Sequence, residues 1–166
     1  MSEEKKRRFF YDLAKDSYDD ANATLDTLDG KANNFFTIDA ALITVVAGLA
    51  YFLVQNLSPT ERYSPLLLTP IGVSLGMFVI SLAIAIRAYS PTARDYVDAD
   101  VVIRNTLEDS YRRVLARTAV TFTRSASNNT ELIKKKAMKL EWTARFMWLG
   151  LFFTILGFAF FFYVIK

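Results

Sequence analysis

Residues 35–54 read FFTIDAALITVVAGLAYFLV, with a single acid, Asp39, near the start. A bilayer core of about 30 Å is crossed by about 20 apolar residues in helical form. Residues 66–86, LLLTPIGVSLGMFVISLAIAI, and 146–165, FMWLGLFFTILGFAFFFYVI, meet the same requirement with no charge at all. Three such blocks in one chain exclude a buried core helix as the common explanation. The fold class expected is an all-α integral membrane protein. Its three transmembrane helices are extended by long cytoplasmic helices into an elongated helical bundle.

The chain has 166 residues, the size of one domain, and 52% of them are hydrophobic. Cysteine and histidine are both absent. That removes disulfides, thiolate and imidazole metal sites, thiol nucleophiles and the Ser-His-Asp triad. No Gly-rich phosphate loop, HExxH or nucleophile elbow occurs either. The expectation is therefore a protein that is not an enzyme, with no catalytic residues, metal or cofactor.

Lysine and arginine fix the expected orientation, because cytoplasmic segments carry the excess of both. Six of the twenty lie in 1–34 and twelve in 87–145, against Arg62 alone in 55–65 and Lys166 at the end. The reading is a multi-pass protein of the cell inner membrane, N-terminus cytoplasmic and C-terminus external. Residues 1–34 form a cytoplasmic amphipathic helix, 35–54 the first span and 55–65 an external loop. Residues 66–86 form the second span, 87–145 a cytoplasmic helical hairpin and 146–165 the third span.

The cytoplasmic parts carry helical periodicity. In the first, Phe10, Leu13, Ser17, Ala21, Leu25, Leu28, Ala32 and Phe35 recur in steps of three and four, with Gly30 the weak point. Ser90-Pro91 reads as a helix start, followed by a stripe of Tyr96, Ile103, Leu107, Tyr111, Val114, Thr118 and Phe122. The polar run 125–130, SASNNT, reads as a turn, and a further helix from about Thr130 leads into the last span.

Within the spans, small residues allow close helix approach. Gly72 and Gly76 form a GxxxG; Ala40, Thr44 and Gly48 form one small-residue row and Gly150, Thr154 and Gly157 another. Packing within the chain is the favoured use of the GxxxG. Asp39 is the most informative residue, since an ionisable group inside a membrane is costly unless partnered. It falls on the continuation of the apolar stripe, so it faces the bundle. Three readings stay open: a pair with Arg145 or Arg87, an ion path at the centre of an oligomer, or a place at the interface. Asp29, Lys31 and Asn34 stand at the membrane entry, as a solvated face or a ligand contact. Arg112, Arg113 and Arg117, with Lys134, Lys135 and Lys136, make a positive surface. Its default use is topology; its functional use is an anionic partner. Asp95, Asp98 and Asp100 lack the spacing of a calcium loop and read as a solvated face.

The stretch 29–49, DGKANNFFTIDAALITVVAGL, resembles a motif of small prokaryotic membrane effectors. There an acid and Lys-Ala precede a first span, here Asp29, Lys31 and Ala32. A later helix with an Asn pair and Lys-Ala leads into the last span, here Asn128, Asn129, Lys136 and Ala137. The group includes the Pycsar transmembrane effectors and the SLATT-like membrane domains. The resemblance implies an antiviral role: sensing a nucleotide second messenger, directly or through a protein partner, then oligomerising and damaging the membrane. Those families usually have two clear spans, and this chain has three.

The leading expectation is a small homo-oligomeric inner-membrane effector that works by rearranging helices. Its partners would be the lipid bilayer, further copies of itself and a nucleotide second messenger or cytoplasmic protein, with no specific nucleic acid. An anchor or adaptor subunit whose cytoplasmic helices dock a partner is the alternative. A small channel subunit ranks lower, because it would carry more polar residues deep in the spans.

Overall fold

The structure is a computed structural model describing residues 3–56, 65–90, 94–97 and 110–164. Three α-helices account for nearly all of them: α1, Glu3–Asn56; α2, Pro65–Tyr89; and α3, Tyr111–Val164. Each is long and apolar enough to cross a membrane. No strand occurs among the described residues. The chain is thus an all-α membrane protein.

A seven-residue seam organises all three helices. On α1 the buried positions are Ala14, Ala21, Leu25, Ala32, Asp39, Val46 and Leu53. On α2 they are Ser74, Phe78, Ser81, Ala85 and Ala88; on α3 the longest series is Asn129, Lys136, Thr143, Gly150 and Gly157. Residues seven apart return to nearly the same side of an α-helix, which is how coiled-coil seams are built. The seam is selective. Phe10 and Leu13, expected on the buried stripe, are 60% and 52% exposed, and Ala14 takes the inner place. Gly30 leaves α1 unbroken and keeps a negative φ.

The chain divides into two compact units. The first comprises Met1–Leu28 and Pro91–Ala137. Here the starts of α1 and α3 pack together, with Phe122 between Tyr11 and Tyr18 at centroid distances of 5.8 and 5.3 Å. Residues 94–97 have no regular secondary structure and are bonded to both helices.

The second unit comprises Asp29–Ser90 and Met138–Lys166, the parts that contain the three apolar blocks. Its outer surface is greasy: Val45, Phe52, Trp148, Ile155 and Phe162 are all more than half exposed. Those faces suit hydrocarbon. Lipid tails compete with side chains for apolar contact, so helix association there rests on tight packing and a few polar bonds.

One expectation is corrected. The run 125–130 is not a turn, because α3 continues through it. Asn and Ser favour turns when their side chains bond their own backbone. Here Asn128 and Asn129 bond to Asp95 instead, and Asn129 also to Asn22. Ser125 and Ala126 are buried, and Thr130 returns a bond to the Ala126 carbonyl. With its polar groups used elsewhere, the run keeps its helical backbone. The helix start proposed at Ser90-Pro91, and Ile103, Leu107, Asp98 and Asp100, lie partly or wholly outside the described residues; Tyr96 is non-helical.

Candidate functional site: a buried carboxyl node and a polar clasp

In the second unit, the α1, α2 and α3 seams meet at a small polar node. Asp39 is fully buried. Ser81 donates its hydroxyl to Asp39 Oδ2 at 2.6 Å and lies 2.9 Å from the Thr143 carbonyl oxygen. Asp39 Oδ1 is buried without a hydrogen-bond partner. The expected pairing with an arginine is not made. Arg145 pairs with Glu141 on its own helix and lies over the Trp142 ring, 5.1 Å from the centroid. Lys139 is committed to the Arg87 carbonyl at 3.0 Å. Full burial turns Asp39 into the bundle, as its place on the apolar stripe required.

Close packing surrounds the node. The Ser74 and Thr154 hydroxyls bond at 2.6 Å. A Cβ at Gly150 would sit 2.7 Å from the Phe78 ring, and one at Gly157 would sit 3.1 Å from Ile71. The first approach leaves no room for a Cβ unless Phe78 shifts, and the second is tight. Gly72, Gly76 and Gly48 are different: all three are exposed, and a Cβ there would meet nothing within 4 Å. The GxxxG therefore does not pack within the chain, because the α2 seam uses Ser74, Phe78 and Ser81 and turns the glycines outward.

In the first unit, the short segment 94–97 forms a clasp. The Asp95 backbone N–H donates to Asn129 Oδ1 at 3.1 Å, and Asn128 donates to the Asp95 carboxylate at 2.6 Å. Asn129, fully buried, also donates to Asn22 Oδ1 at 3.0 Å. The Val97 N–H donates to Tyr18 at 3.2 Å, and Arg94 donates to Asp26 at 2.6 Å. Beside the clasp lies a cavity of about 360 Å³ lined by Arg94, Asp95, Asn128, Glu131, Leu132 and Lys135. It is a shallow depression, largely open to solvent. Lys135 bonds Glu131 at 2.7 Å and, by that hydrogen bond first and its charge second, lowers the Glu131 carboxyl from its ordinary value.

The expected surface residues are only partly gathered. Arg112, Arg113 and Arg117 are exposed near the start of α3, as are Lys134 and Lys135 further on. Seventeen residues separate Arg117 from Lys134, about 26 Å along a helix at 1.5 Å per residue, so they form two patches. Lys136 is buried in the seam and not part of either. Lys31 and Asn34 are exposed and Asp29 half-buried, and none of the three lines the depression beside the clasp. Only Lys135 of the expected set reaches the cavity. Asn22, Tyr18, Arg94, Ser81 and Thr143 were not legible as site residues. For Ser81 and Thr143 the available signal was a polar residue recurring on a seven-residue seam; Tyr18, Asn22 and Arg94 carried none.

The model of the Pycsar effector protein domain matches residues 13–164, nearly the whole chain. The chain belongs to that family. Pycsar effectors of this kind are transmembrane effectors of antiviral defence, and the three apolar helices accord with that. Comparison with curated proteins and with solved structures gives no match. The match spans both units, so the carboxyl node and the clasp both lie within the Pycsar effector domain.

Proposed function

We propose that this Pycsar effector is a homo-oligomer of the inner membrane that perturbs the bilayer when a nucleotide second messenger binds its first unit. The N-terminus and the first unit face the cytoplasm, and the C-terminus is external. The effector acts by helix rearrangement and not by bond chemistry. The cavity beside the clasp carries this reading. Arg94 and Lys135 offer two cations to a phosphate, while Asn128, Asp95 and Glu131 offer donors and acceptors to a base. Both cations already hold carboxylates, Asp26 and Glu131, in pairs reachable by solvent. Such pairs contribute little and exchange partners at little cost. Eighteen of twenty basic residues lie in 1–34 and 87–145, which supports the orientation. The outward Gly48, Gly72 and Gly76 supply small-residue faces for other copies.

The test is dye leakage from liposomes holding the purified protein, with a panel of cyclic nucleotides. Leakage with one nucleotide only is the expected result. Arg94→Ala and Lys135→Ala should each weaken binding of that nucleotide by about tenfold or more, the loss expected for one charge-assisted hydrogen bond. Isothermal titration checks this directly. Leakage without any nucleotide would favour a channel. Tight liposomes throughout, with the protein inserted, would favour an adaptor that docks a cytoplasmic partner.

A further inference from the structure

Of the side-chain nitrogen and oxygen atoms buried among the described residues, one has no partner: Asp39 Oδ1. Its place is informative. Asp39 sits on the α1 seam, and its other oxygen is held by the one hydroxyl that also reaches α3. Ser81 has a single hydrogen to give and two acceptors, Asp39 Oδ2 and the Thr143 carbonyl, within 2.9 Å. So one proton must serve three helices. The neighbouring seam positions Val46 on α1 and Phe78 and Ala85 on α2 have no polar side chain, and on α3 the Thr143 hydroxyl donates to the Lys139 carbonyl at 3.1 Å. Of the cations near Ser81 and Thr143 in sequence, Arg145 pairs with Glu141, Lys139 with the Arg87 carbonyl, and Arg87 is exposed.

A buried acceptor left unmade is penalised more than a made bond is rewarded, and the penalty grows in an apolar medium. The close approach of Gly150 to Phe78 and the Ser74–Thr154 bond hold the closed packing nonetheless. Any state in which the helices part enough to hydrate Oδ1 escapes that penalty. We propose that the Asp39–Ser81–Thr143 node is the latch of the membrane unit, closed by the Ser81 hydroxyl and driven open by hydration of the Asp39 carboxyl. Ser81 is a positioning residue for the closed state, and Asp39 supplies the drive to open. This rests on the membrane-perturbing reading only for its consequence, not for the motion itself.

The absence of cysteine makes the motion measurable, because spin labels can be placed at Val45→Cys on α1 and Val79→Cys on α2, both outward-facing. Liposomes of phosphatidylethanolamine and phosphatidylglycerol then serve for label distances and dye leakage in the full chain. Ser81→Ala should lengthen the label distance and raise leakage without any ligand by about tenfold, the shift expected for one hydrogen bond to a charged group. Asp39→Leu should keep the closed distance, and the double variant should return to it. Ser81→Thr, which retains the hydroxyl, should match the unsubstituted chain. The latch is overturned if Ser81→Ala keeps the closed distance. It is equally overturned if the double variant is as open as Ser81→Ala, since hydroxyl loss alone then loosens the packing. A lengthened distance with tight liposomes would uphold the latch and sink the membrane-perturbing reading.

Discussion

Gly150→Ala should destabilise the membrane unit by about 2 kcal/mol, the middle of the range for overpacking a filled site. The added Cβ would lie 2.7 Å from the Phe78 ring, which is fully buried and has nowhere to move without disturbing the α2 seam. The same substitution at Gly72 or Gly76 meets nothing within 4 Å. There the exchange gains helix propensity, and the effect should stay within about 1 kcal/mol, stabilising in sign. Reversible unfolding in mixed detergent micelles, followed by helical circular dichroism, measures all three. A coupling test makes the cause specific. In a Phe78→Leu background, Gly150→Ala should cost about 1 kcal/mol less, because residues in direct contact do not add. Equal costs at Gly150 and Gly72 would mean that α2 and α3 do not meet at Phe78.

The second large effect is expected in the first unit. Asn129→Leu preserves side-chain bulk and removes three functions at once. The Asp95 N–H loses its acceptor, Asn22 Oδ1 loses its donor, and the Asp95 carbonyl loses a long bond from the same amide. Asn22 and Asp95 are half-buried, so water compensates in part, and a cost of about 2 kcal/mol follows from the usual penalty for unmade bonds. Hydrogen exchange reads the change residue by residue. The Asp95 amide should exchange roughly 30-fold faster, the equivalent of that cost at about 1.4 kcal/mol per tenfold. Tyr18→Phe should release the Val97 amide and leave Asp95 protected, because among the described residues Val97 alone bonds the phenol. Since Arg94 and Asp95 line the depression, Asn129→Leu should also weaken the nucleotide binding proposed above, and Tyr18→Phe should weaken it less.

The two units differ in what holds them. In the first, a buried amide, a phenol and an arginine fasten a non-helical segment to two helices. In the second, glycine clefts and hydroxyl pairs do the fastening. The division follows the solvent. Polar networks can be satisfied where water reaches their edges, whereas in hydrocarbon a sparse set of small residues and hydroxyls suffices.

Length and charge made much of this legible in the sequence. Three runs of about 20 apolar residues dictate helices in a bilayer, because no other open structure satisfies its own backbone there. Asp39 was visible as an outlier for the same reason. The resemblance drawn from Asp29, Lys31 and Ala32 with Asn128, Asn129, Lys136 and Ala137 pointed to the family whose domain matches 13–164. Partnerships were not. Whether 125–130 turns or stays helical depends on where the Asn128 and Asn129 amides find acceptors and donors, and those partners, Asp95 and Asn22, lie 33 and 107 residues away. Likewise GxxxG on α2 and the glycine row on α3 look alike as strings, yet only Gly150 and Gly157 face a neighbour. The sequence by itself determined that the chain is helical and lives in a membrane, since hydrophobicity and backbone satisfaction are local properties. Which face of each helix turns inward, and hence that Asp39 meets Ser81 and not an arginine, was decided only by tertiary packing, where all three seams must close together.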